Sequence, residues 1–274
     1  MHLINPILLL LGLMSLVPAP AKADAVLFIY PTFVVFEGNE RSAEITLTNR
    51  GDQTGTFEMS WSDMTMTPEG GLMKHEGPAP WSVQPYVRYS PRRVRLAPAE
   101  SQIVKIALRR GKDVPEGEYY AHFKVLTLNS EDPLAGEADA DEPTAAPDII
   151  IKARTALAIP IIWRNSRATP SASIESVRID RDTNKLTVAV RRHGLLSVRG
   201  YLHLFETAPD GSRSFLAEPV PLIIYPSIEV RTKIITLEDG VIADSLPRGT
   251  EVYFSPDLEI TVRSTMFASY RIVP

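Results

Sequence analysis

Apolar and polar residues alternate with a period of two along most of this chain. Ala43, Ile45 and Leu47 alternate with Glu44, Thr46 and Thr48. Phe57, Met59 and Trp61 repeat the pattern, as do Val104, Ile106 and Leu108, with Lys105 facing out. Tyr119, Ala121, Phe123 and Val125 do so once more, after a turn at Pro115-Glu116-Gly117. Successive side chains of an extended strand point to opposite faces, so this period predicts half-buried β-strands. Turn signals separate the strands at Glu37-Gly38-Asn39, Asn49-Arg50-Gly51-Asp52, Pro68-Glu69-Gly70-Gly71 and Ala97-Pro98-Ala99. No long stretch combines helical spacing with caps. Short strands at such intervals predict an all-β sandwich or barrel.

One region departs from the pattern. Residues 129–148 carry Glu131, Asp132, Glu137, Asp139, Asp141, Glu142 and Asp148, with Pro133, Pro143 and Pro147 and no basic residue. Such a segment cannot bury apolar area and is expected to be a mobile loop. A long extended run follows from Asp148 to Arg164, with Ile149, Ile151, Ala153, Thr155 and Leu157 on one face. It is roughly twice the usual strand length. A polar linker with Pro170 then spans Asn165 to Ser173, and alternation resumes beyond it. Val177 and Ile179, Leu186 to Val190, and Tyr201 to Phe205 read as strands, followed by a hairpin signal at Pro209-Asp210-Gly211. Further strands are expected at Leu222–Tyr225, Ile228–Ile235, Glu251–Phe254 and Leu258–Val262.

Length turns this pattern into an organisation. The 274 residues, 44% hydrophobic and 23% charged, suit two ordinary globular domains. The expected boundaries are a signal peptide over 1–23, an N-terminal domain over 24–164 and a C-terminal domain over 165–274. The signal is the apolar run Ile7 to Val17, followed by Pro18-Ala19-Pro20 and by Ala21-Lys22-Ala23, whose small residues invite cleavage after Ala23. The run is too short to span a bilayer. With no cysteine there is no lipobox, no disulfide and no thiol chemistry. The mature chain is expected to be soluble and outside the cytoplasm. A net charge of -4 supplies no general basic field for nucleic acid or anionic lipid.

Catalytic and metal chemistry find no signature. His2, His75, His122, His193 and His203 include no pair at metal-ligand spacing, and His122 reads as a packing or surface residue of a strand. There is no G-x-S-x-G elbow, P-loop or G-x-G-x-x-G. Neither enzyme activity, nor a cofactor, nor a bound metal is expected.

The stretch from Tyr89 to Ile106 contains Pro91, Val94, Leu96 and Pro98 as P-x-x-V-x-L-x-P, then Gln102, Val104 and Ile106 as Q-x-V-x-I. This resembles periplasmic pilus-assembly chaperones. Pro115 to Phe123, Ile29-Tyr30-Pro31, Phe36-Glu37-Gly38 and Leu47-Thr48-Asn49 are similar to that family's other strand entries, so the likeness runs from about Val26 to Arg164. The resemblance implies two immunoglobulin-like β-sandwich domains in a boomerang arrangement. It also implies that the last strand of the first domain completes the sheet of a pilin-like subunit, which the chaperone delivers to an outer-membrane usher in the periplasm. Ile149, Ile151, Ala153, Thr155 and Leu157 then become the client-binding row. Burying two isoleucines contributes roughly 3–6 kcal/mol before ordering costs. The family grips the client's terminal carboxylate with an Arg and a Lys, but the matching places here lie near Phe33 and Pro160, and neither is basic. Arg154, Arg164 or Lys152 are the candidate substitutes. Two other readings stay open. One is a structural fibre subunit or adhesin module of tandem sandwiches; the other is a carbohydrate-binding enzyme using Trp61, Trp81 or Trp163.

Overall fold

The structure is a computed structural model that describes residues 25–111, 113–128, 155–208, 210, 212–238, 240–242, 246, 249–259 and 264–272. The first domain contains β1 (Leu27–Tyr30), β2 (Val34–Phe36), β3 (Ser42–Asn49), β4 (Gly55–Ser62), β5 (Met64–Met66), β6 (Leu72–Lys74), β7 (Val87–Ser90), β8 (Arg93–Leu96), β9 (Ser101–Leu108), β10 (Gly117–Leu128) and β11 (Ala156–Asn165). The second contains β12 (Ser171–Asp180), β13 (Lys185–His193), β14 (Val198–Thr207), β15 (Arg213–Phe215), β16 (Val220–Ile224), β17 (Val230–Thr236), β18 (Glu251–Ser255) and β19 (Ala268–Arg271).

In the first sandwich a β1-β3-β9-β7 sheet faces a β2-β11-β10-β4-β8 sheet. The alternating positions read from the sequence fill the space between them: Ile45, Leu47, Phe57, Val104, Ile106, Ala121, Phe123 and Val125 are all fully buried. Asn49 ends β3 and fixes the adjoining corner. Its Nδ2 donates to the carbonyls of Gln53 and Leu96, and its Oδ1 accepts from the amides of Val26 and Gly51. Four bonds on one buried amide supply the backbone there with partners that water cannot reach. The second sandwich sets β12-β13-β17 against a sheet in which β14 pairs β15, β16 and β18, with β19 beyond β18. Leu186, Val188, Val190, Leu202, Leu204 and Phe254 form its centre.

The observed segmentation differs from expectation in three places. The connection between domains is shorter than the predicted linker, because Ser171, Ala172 and Ser173 already pair with His193, Arg192 and Arg191, and Ala172 is buried. The predicted strand at Leu258–Val262 is not seen at its start, where Leu258 and Glu259 lie in a bend; 260–263 lie outside the described residues. A final strand, β19, was not expected at all. It pairs with β18 and alternates only weakly between half-buried and exposed positions.

The two sandwiches are joined through the outer face of β10. Tyr119, Ala121 and Phe123 point into the first core, whereas Tyr120 and His122 are buried against the second domain. The Tyr120 and Tyr225 rings stack at 4.7 Å, and Tyr120 Oη is 2.9 Å from both the Met64 carbonyl and Ser227 Oγ. The β5-β6 hairpin reaches over from the first domain, and the Thr232 amide of β17 donates to its Pro68 carbonyl at 2.7 Å.

Candidate functional site

β11 has two neighbours of unequal length. On one side β10 pairs with it from Ala156 to Asn165. On the other side β2 pairs with it in parallel, and only over Ile161, Ile162 and Trp163. Among the described residues, the edge of β11 from Ala156 to Pro160 therefore carries no strand. Ala156, Leu157 and Ala158 are exposed there, Leu157 at 38%. An unpaired edge presents amides and carbonyls at the spacing another strand needs.

Side-chain direction along this edge follows the period of two. Leu157, Ile159, Ile161 and Trp163 share one face, and the last three are buried in the chain's own first core. Thr155 and Leu157 continue that row beyond the end of the core and are exposed. Ile149, Ile151 and Ala153, the rest of the expected client-binding row, lie outside the described residues, as do Lys152 and Arg154.

Arg164 is held within its own molecule. Its Nε donates to Glu118 Oε2 at 3.0 Å, and its Nη1 pairs with Glu37. Glu118 has a fully buried side chain, and its Oε2 also accepts from the amide and hydroxyl of Ser197 at 3.1 and 2.9 Å. This carboxylate thus bonds both domains at once. The two neighbours raise the Arg164 guanidinium pKa against the opposing pull of its burial. A guanidinium fixed this way braces β11 against its own domain and is not presented to a ligand.

Below the open edge lies a pocket of ≈ 380 Å³ between the domains. Thr32, Phe33 and Pro160 close it from the first domain, so the two positions expected to lack basic residues face one cavity. Its cations come instead from the second domain: Arg199 on β14, and Arg231 and Lys233 on β17. The Arg199 guanidinium carbon lies 3.7 Å from the centre of the Phe33 ring, in cation–π range. Tyr201, Leu222, Ile223 and Tyr225 complete an apolar wall. Sequence reasoning missed this trio because Arg199 and Arg231 stand 32 residues apart on different strands. Each reads locally as a solvated strand position.

The other readings fare differently. Each tryptophan packs on protein aromatics: Trp61 on Tyr89 and Phe123, Trp81 on Tyr120, and Trp163 on Tyr86 and Tyr119. A fibre subunit would want a free strand at its mature amino terminus, whereas β1 is paired with β3 over its whole length.

No family model matches the chain, and no curated protein matches it. Solved structures do. A chain of the CsuC–CsuE chaperone-tip adhesion subunit pre-assembly complex, from the archaic chaperone-usher Csu pili of Acinetobacter baumannii, is similar over 89% of this chain and 99% of that one, at 13% identity and TM-score 0.50. The YadV chaperone is similar over 90% of this chain and 99% of its own, at 12% identity and TM-score 0.47. The Salmonella enterica SafA pilin–SafB chaperone complex gives 93% and 99%, at 15% identity and TM-score 0.44. Sheet by sheet and by its likeness to the CsuC–CsuE complex, the chain has the fold of pilus-assembly chaperone structures, a pair of immunoglobulin-like sandwiches.

Proposed function

We propose that this chain is a periplasmic chaperone that completes the sheet of pilus or fimbrial subunits with its own strand and hands them to an outer-membrane usher. The observation that carries the reading is the open edge of β11 from Ala156 to Pro160, continuing a sequence that places Ile149, Ile151, Ala153, Thr155 and Leu157 on one face. A sandwich lacking a strand exposes an apolar groove and unpaired backbone groups, which makes it prone to aggregation. A donated strand with an apolar residue at every second position fills the groove while its backbone completes the ladder. Export follows from the N-terminal signal. No ATP enters, because the subunit's remaining folding free energy is released when another strand replaces the chaperone's.

Support comes from the shared fold and from the CsuC–CsuE structure, which is a chaperone–subunit complex. The test is copurification from the periplasm of the native host. The tagged wild type is expected to carry a small secreted β-protein in one-to-one ratio. Ile149→Asp with Ile151→Asp is expected to abolish that complex while circular dichroism and thermal unfolding stay as in the wild type. A complex that survives the double substitution removes the donated strand from the mechanism. Recovery of the protein on the cell surface, polymerised, would instead make it a fibre subunit.

A further inference from the structure

The β5-β6 hairpin packs on the second domain with one side and carries soft-ligand chemistry on the other. Its register pairs Met64 with Lys74, Thr65 with Met73 and Met66 with Leu72, and the His75 amide donates to the Asp63 carbonyl at 2.9 Å. Directly paired residues share a face, and faces alternate along a strand. Met64, Met66, Leu72 and Lys74 therefore make one side, on which Met66 is buried with Tyr120, Ile162 and Tyr225. Asp63, Thr65, Met73 and His75 make the other.

On this second side the imidazole is already oriented. His75 Nδ1 lies 3.1 Å from Thr65 Oγ1. The Trp81 ring, itself stacked on Tyr120, stands 5.0 Å from the imidazole, centre to centre. His75 Nε2 has no partner among the described residues and is not sealed from solvent. With Nδ1–H donating to the threonine oxygen, the Nε2 lone pair is left for a ligand, which is how protein imidazoles bind metals. Met73 stands two residues away along β6, roughly 7 Å. It is 59% exposed, and its flexible side chain lets the thioether swing to the same point.

This donor set discriminates among metals. One thioether sulfur and one imidazole nitrogen suit a soft monovalent cation, and the chain has no cysteine to compete for it. Zinc would need a fuller set of histidine or carboxylate ligands, and no group of three such residues stands together among the described residues. The indole adds cation–π attraction for a cation within about 6 Å of its ring. Asp63, directly across from His75, adds a negative charge, with its Oδ1 held by the Ser82 hydroxyl at 2.8 Å. Lys74 belongs to the opposite side of the hairpin. Histidine spacing alone does not reveal the site, because the second ligand is a methionine.

We propose that Met73 Sδ and His75 Nε2, roofed by the Trp81 ring, form a binding site for one cation of the copper(I) class. Thr65 is its positioning residue, since its oxygen fixes the imidazole tautomer. None of these residues belongs to the β11 edge, so the site stands whether or not that strand is donated.

Silver(I) serves as a redox-stable probe. It is titrated as the nitrate into the full mature chain in chloride-free buffer, with methionine methyl and histidine ring signals followed by NMR. One equivalent is expected to shift the Met73 and His75 signals saturably and to quench tryptophan emission with the same midpoint. Met73→Leu and His75→Gln should each weaken binding about tenfold or more, and Thr65→Val about tenfold. Met73→Leu alters an exposed side chain, so its thermal unfolding without silver should match the wild type. Zinc(II) should leave the Met73 methyl signal in place. The proposal is overturned by the absence of a saturable response or by full affinity in Met73→Leu. Shifts that fall equally on Met59, Met64, Met66 and Met266 overturn it too.

Discussion

At the scale of single residues, His122 shows how strongly burial overrides the surface appearance of a strand position. It is 2% exposed, edge-on to the stacked rings of Tyr120 and Tyr225, and its Nδ1 finds no partner among the described residues. Burial pushes its pKa down to about 4 from an ordinary 6.5, with Asp63 pulling weakly the other way. Above pH 6.5 the ring is neutral both folded and unfolded, so its contribution is complete. As pH falls from 6.5 toward 4, the unfolded chain binds a proton that the folded chain refuses, and stability is lost by about 3 kcal/mol. His203 shifts in the same direction and adds to the slope. Urea unfolding at about pH 7 and about pH 5 should show His122→Gln losing less stability than the wild type over this interval. Equal losses would mean that the ring is already protonated in the folded state. From sequence His122 reads as a packing or surface residue, and packing is what the structure gives it. Arg164 shows the limit of such reading: its charge made it a candidate anchor, yet the buried Glu118 that engages it lies 46 residues earlier.

At the scale of elements, alternation reported the strands faithfully wherever one face met a core and the other met water. β3, β4, β9 and β13 were visible for that reason. The short β5, β6 and β15 were not, since three residues carry too little alternation to stand out. The outer face of β10 was misread for a subtler reason. Glu118, Tyr120 and His122 are polar enough to pass for a solvated face, but all three are buried against the second domain. The β5-β6 turn is another interdomain element, and Gly70 at its tip adopts φ +91°, a conformation that disfavours any Cβ. A Cβ built there would lie 2.0 Å from Arg231 Nη2. Gly70→Ala is therefore expected to cost about 1–2 kcal/mol in backbone strain and to displace the Arg231 guanidinium. Its unfolding midpoint in urea should fall, and the Arg231 Nε–H NMR signal should move. An unchanged midpoint and spectrum would mean that the turn relaxes without touching β17.

At the scale of the whole molecule, the interdomain pocket exists only while both domains hold their relative placement, because Thr32, Phe33 and Pro160 belong to one and Arg199, Arg231 and Lys233 to the other. The stacked Tyr120–Tyr225 pair supplies contact area, and the Tyr120–Ser227 and Thr232–Pro68 bonds are directed, but the charged tie is Glu118, whose Oε2 accepts from Arg164 Nε and from both donors of Ser197. Removing one partner of a buried pair leaves the other desolvated and unmatched, which costs roughly 3–5 kcal/mol in fully buried cases. Arg164 keeps 22% side-chain exposure and its bond to Glu37, so Glu118→Ala should fall at the lower end, about 3 kcal/mol. That loss falls on the interface more than on either core. Calorimetry should then split one cooperative transition into two, and small-angle scattering should report a larger radius of gyration for the variant. A variant that keeps a single transition and unchanged scattering would show that the aromatic stack and the Tyr120–Ser227 and Thr232–Pro68 bonds fix the cleft without it. The charge of Glu118 would then matter only to Arg164.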